Sequence, residues 1–163
     1  MLSTPLALLL TLLVPPLGPS AGKLPKADVV PPLEKMSDGA SRLTLHQRTC
    51  IFVEGEPDAL PYRADSPLDC ERVNRASADS RKKIAKRLRL RAGKYQIRVL
   101  NEGHPFATGF VLRGEYDQSL PTVTGEGIST GSGRDFKIEL TPGEYVYFCP
   151  VAKTLKYRLL VER

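Results

Sequence analysis

The sequence has no tryptophan, and only two histidines, three cysteines and two methionines among 163 residues. Two histidines are too few for a His-rich metal cage. They also leave any Ser-His or Cys-His catalytic pair only two candidates, His46 and His104. No Asn-x-Ser/Thr sequon occurs, which favours a bacterial envelope or secreted protein over a eukaryotic one. The first 22 residues contain no Asp, Glu, Lys or Arg, and beyond them no apolar run approaches the ~20 residues needed to cross a bilayer. Hydrophobic residues at 41% and charged residues at 26% exclude a disordered or membrane-spanning chain.

That uncharged start carries a message of its own. Pro5 to Val14 is apolar but only ten residues long, prolines 15, 16 and 19 break it, and Ser20-Ala21-Gly22 follows. This is the plan of a secretory signal peptide over residues 1–22, with cleavage after Ala21 or Gly22 and a periplasmic or secreted mature protein. The whole formal excess of +6 then stays with the mature chain, as do Cys50, Cys70 and Cys149. In an oxidising compartment two of the three cysteines should pair. Three single bridges can be drawn. Cys50–Cys70 is the expected one, because the Pro- and Asp-rich segment between them reads as a loop. Closing a loop of that size is worth about 3 kcal/mol in the chain-entropy model.

Residues 23–47 read as a Pro-rich, irregular arm, and 48–163 as the domain. Within the domain, 71–86 could hold a helical turn or two, although its apolar face is nearly absent. From Lys86 onward the period is two. Leu88 and Leu90 alternate with Arg87, Arg89 and Arg91; Tyr95, Ile97 and Val99 alternate with Lys94, Gln96 and Arg98; Phe136, Ile138 and Leu140 alternate with Lys137 and Glu139. A Pro142-Gly143 turn leads into the aromatic run Tyr145-Val146-Tyr147-Phe148-Cys149, and Tyr157 to Val161 closes the series. Short alternating strands between turns predict an all-β sandwich or barrel with one wet face.

Two of these stretches resemble the cupredoxin family. Leu90 to Gly103 is similar to its central strand, which ends in an Asn-x-Gly loop, here Asn101-Glu102-Gly103. Leu140 to Pro150 is similar to the Pro-Gly turn and aromatic strand whose final Cys binds copper. The resemblance spans Lys86 to Arg163 and implies a Greek-key β-sandwich. It also implies a copper site near Cys149. A blue copper site uses two His, one Cys and often a weak axial Met. Of these only Cys149 stands in register. The nearby histidine, His104, comes early in its loop, and Pro150 to Lys156 offers neither His nor Met but places Lys153 and Lys156 beside the thiol.

Cys149 with His104 is therefore the candidate metal site, with His46 as a third ligand if folding delivers it. The alternative is a packed cysteine and a loop histidine. Gly127-Ile128-Ser129-Thr130-Gly131 matches a nucleophile-elbow pattern without a strand before it or a helix after it, so the expectation is that the chain is not an enzyme. Arg87, Arg89 and Arg91 on one strand face would suit an acidic protein or an anionic envelope surface. No exposed aromatic platform accompanies them, and nucleic acid is not expected. The resulting expectation is an exported cupredoxin-like accessory or binding protein. It would have no cofactor, or else copper held by Cys149 and His104 for copper binding or electron transfer.

Overall fold

The computed structural model of the protein describes residues 28–59 and 62–163; the expected leader lies outside them. Two mixed sheets face each other. The first contains β1 (Asp28–Val29), β5 (Arg87–Arg91), β11 (Tyr157–Glu162), β10 (Gly143–Phe148), β7 (Thr108–Gly114) and β8 (Val123–Ile128), in that spatial order. The second runs β2 (Leu33–Lys35), β3 (Ser41–Arg48), β6 (Gly93–Asn101), β9 (Gly133–Leu140), with β4 (Ile51–Phe52) pairing back onto the end of β3. Strands β3 and β6 are parallel, as are β5 and β11, so neighbours in space are distant in sequence, as in a Greek key.

The period-two segments behave as their alternation requires. On β5, Leu88 and Leu90 are buried while the arginines between them face outward. Tyr95, Ile97 and Val99 of β6 turn inward beside Leu43 and Leu45 of β3. The aromatic strand β10 sends Tyr145 and Tyr147 into the core. There Phe52 meets Tyr147 edge-on at 5.2 Å and Tyr157 at 5.7 Å, and Phe110 packs on Phe136 at 5.2 Å.

Two expectations change. Among the described residues, 28–47 are not an irregular arm but already supply strands of the sandwich. β1 pairs with β5, β2 pairs with β3, and β3 is an inner strand whose Leu43 and Leu45 are each 1% exposed. The physical reason is that Ser41 to Gln47 already alternates inward and outward residues. Pro31 and Pro32 only separate β1 from β2; they do not prevent either from pairing.

The second change is the helix. Instead of a turn or two, α1 spans Pro67–Ile84, 18 residues and about 27 Å. Ser66 caps it with a full capping box to Asp69, Pro67 stands at its start, and Arg81, Lys82 and Lys83 close its last turn against the helix dipole. Its inward stripe is Cys70, Asn74 and Arg81, at helical spacing but not apolar.

Candidate functional site

Cys149 follows β10 directly and is fully buried. Its Sγ accepts hydrogen bonds from the backbone N–H of Ala152 at 3.3 Å and of Gly109 at 3.4 Å. The Thr154 hydroxyl accepts from the Cys149 N–H at 2.9 Å, and the Thr154 N–H donates to the Cys149 carbonyl, so the 150–154 turn folds tightly over the sulfur. Burial pushes the thiol pKa up, against the N–H donors that lower it. This is a packed thiol, Cys149 being the free cysteine among the described residues.

The Asn101–His104 loop is knotted by Asn101, which is wholly buried at the end of β6. Its amide donates to the carbonyls of Phe106 at 2.9 Å and Ile128 at 3.0 Å, and its side-chain oxygen accepts from the His104 N–H at 3.1 Å. His104 is itself 0% exposed, and its Nε2 accepts the N–H of Cys50 at 2.9 Å. A neutral imidazole has one lone pair, so its proton is on Nδ1, which is buried without a hydrogen-bond partner. Burial pushes the His104 pKa down to about 4. The ring therefore props the Cys50 turn, where Cys50 sits in the left-handed region at φ 68°. A copper ion does not fit this donor set. The His104 lone pair is spent on a backbone amide, and binding through Nδ1 would set an Nε2–H against the Cys50 N–H.

His46 is held elsewhere, with Nδ1 2.6 Å from Glu54 and Nε2 3.8 Å from Glu102. Among the described residues no group of three or more His, Cys, Asp or Glu side chains converges in a metal-binding arrangement. Ser129 lies in the connection from β8 to β9, two strands of different sheets. Gly127 and Gly131 there have φ of 77° and 71°, and no strand-to-helix elbow forms.

The arginines of β5 are engaged within the chain. Arg87 makes a two-pronged pair with Asp28 at 2.8 and 3.0 Å, Arg89 meets Glu162 at 2.6 Å, and Arg91 donates to the carbonyl of Arg163 at 3.2 Å. The Arg87 hydrogen bond holds the Asp28 carboxyl below its usual range. The face expected to meet an acidic partner thus spends much of its charge on Asp28, Glu144 and Glu162.

The disulfide joins Cys50 to Cys70 with a Cα–Cα separation of 5.0 Å and pins the first turn of α1 to the sandwich. A buried cluster that sequence reasoning missed lies near it. Arg81 clamps Glu56 through Nε and Nη2, both at 2.8 Å, the Tyr157 hydroxyl donates to Glu56 at 2.5 Å, and Arg81 also donates to the Cys50 carbonyl at 3.4 Å. Asn74 reaches across to the Ala152 carbonyl at 3.0 Å, so the helix holds the Cys149 turn as well. The one sequence signal for this cluster was the 70-74-77-81 spacing.

No family model and no curated protein matches the chain. Among solved structures it is similar to a multicopper oxidase at 15% identity, over 84% of this chain and 48% of that one, with a TM-score of 0.47. It is also similar to auracyanin from Roseiflexus castenholzii at 13% identity, over 77% and 100% of the two chains, with a TM-score of 0.46. A reduced amicyanin variant gives 11% identity, coverage of 78% and 87%, and a TM-score of 0.44. The chain spans about half the length of the multicopper oxidase. The fold itself is a two-sheet β-sandwich with one helix added at its side.

Proposed function

We propose that the protein is an exported cupredoxin-like accessory or binding protein without a normal type 1 copper centre. The observation that carries this reading is the bond from the Cys50 N–H to His104 Nε2. It commits the imidazole that the sequence offers as a partner for Cys149 to holding the backbone. The buried, N–H-capped thiol of Cys149 supports the same reading, as does a Pro150 to Lys156 segment with no His or Met. The Cys50–Cys70 disulfide favours an oxidising compartment, the periplasm or the exterior. None of the described helices is long and apolar enough to cross a membrane.

Adding one equivalent of Cu(II) to the protein purified from the envelope should give no intense visible band. An intense band lost in both Cys149→Ser and His104→Ala would overturn the proposal and establish the electron-transfer alternative.

A further inference from the structure

We propose that the groove between α1 and the 150–157 segment is a docking site for an acidic, extended segment of a partner protein. This rests on the binding-protein reading above and names the partner's chemistry. The groove encloses about 590 Å³, and of its fifteen lining residues seven are Lys or Arg against two Glu. Some of that charge is balanced locally. Arg75 pairs with Glu71 at 2.6 Å, Arg158 with Glu115 at 3.2 Å, and Arg87 with Asp28. Among the described residues, Lys86, Lys153 and Lys156 have no carboxylate within ion-pair distance. Lys156 lies over the Phe148 ring at 5.9 Å.

Three ammonium groups around one concavity repel each other, and an anion between them relieves that repulsion. The arrangement is built, not incidental. Lys153 sits in the left-handed region at φ 47°, in the turn that Asn74 of α1 fixes through the Ala152 carbonyl. Lys86 leaves the helix end on a backbone bond to the Gly55 carbonyl at 2.7 Å. The lining also includes Ala78, Ala85 and the largely buried Leu155, which are apolar. An extended peptide with carboxylates spaced along it and small apolar side chains between them matches both features. A flat anionic membrane would meet the rim of a concave groove and leave its apolar wall empty. The aromatic lining residue, Tyr157, is 1% exposed and offers no face for a base to stack on.

The test is fluorescence anisotropy of the disulfide-intact protein with a fluorescein-labelled peptide of alternating glutamate and alanine, at low and physiological ionic strength. The groove variant Lys86→Glu/Lys153→Glu/Lys156→Glu should weaken binding about tenfold or more. A variant with the same charge change on the other sheet, Lys35→Glu/Lys94→Glu/Lys137→Glu, should weaken it by about twofold or less, since exposed distant charges are screened. Equal losses in the two variants, or no binding by the unaltered protein, would overturn the proposal. So would binding that depends on the groove lysines with phosphatidylglycerol vesicles but not with the peptide. The same preparation is assayed with Cu(II). A visible copper band defeats the function proposed above whatever the peptide does, and a failed peptide arm without such a band defeats only the groove.

Discussion

At the level of single residues the buried Arg81–Glu56 pair is the most exposed to perturbation. The side chains are 5% and 1% accessible. Removing one partner leaves the other charge stranded, which typically costs 3–5 kcal/mol, whereas replacing both with apolar groups of similar volume costs far less. Arg81→Met should therefore lower the urea-unfolding free energy by about 4 kcal/mol, and Glu56→Leu/Arg81→Met should recover a large part of that loss. Helical spacing puts Arg81 on the same face as Cys70 and Asn74, but nothing in the sequence matches it to Glu56. The members of the pair are 25 positions apart, and Tyr157 lies 101 positions from Glu56, so only the fold makes them neighbours.

His104 gives a second prediction at this scale. Its pKa falls from 6.5 unfolded to about 4 folded, so the unfolded chain binds the extra proton first. Stability from the neutral ring is complete above pH 6.5 and is lost as pH falls toward 4, by up to about 3 kcal/mol. In His104→Gln the slope of unfolding free energy against pH across that window should flatten relative to the unaltered protein. An unchanged slope would place the acid sensitivity in other groups.

At the level of elements, β5, β6, β9, β10 and β11 were legible, whereas β1 to β3, β8 and the helix were not. Leu88, Leu90, Tyr95, Ile97 and Val99 carry period two in their own hydropathy, and each is buried where the alternation puts it. The α1 stripe carries the helical period in Cys70, Asn74 and Arg81, which no hydropathy pattern records. A disulfide, a side-chain amide and an ion pair hold the helix in place of an apolar face. Of three possible bridges, the expected Cys50–Cys70 pairing is the one present.

Its removal should tell on the helix before the sheets. Cys50→Ser/Cys70→Ser should cost about 3 kcal/mol, and amide hydrogen exchange should rise more in 67–84 than in β6. At the other control point, Ser66→Ala removes the capping box and should cost about 1 kcal/mol, read as a lower midpoint in thermal melts.

At the level of the whole molecule, two sheets close over one core while the residues around Cys149 serve the scaffold. Residues 28–47 are not an irregular arm, because the alternation of Ser41 to Gln47 makes a strand despite the prolines before it. In the structure the prolines punctuate strands that the rest of the sheet recruits. The candidate site was half legible. Cys149, His104 and the lysines of the following segment were all in view. What could not be read was the direction of the His104 ring, which depends on the Cys50 N–H 54 positions away.

That ring is where the account is most directly tested. Long-range nitrogen–proton NMR of the imidazole, before and after one equivalent of Cu(I), reports its tautomer and any ligation. The expected result is a neutral ring protonated at Nδ1, with Nε2 shifted by its hydrogen bond and unchanged when copper is added. A ring protonated at Nε2, with an Nδ1 signal that moves on copper addition, would contradict the account.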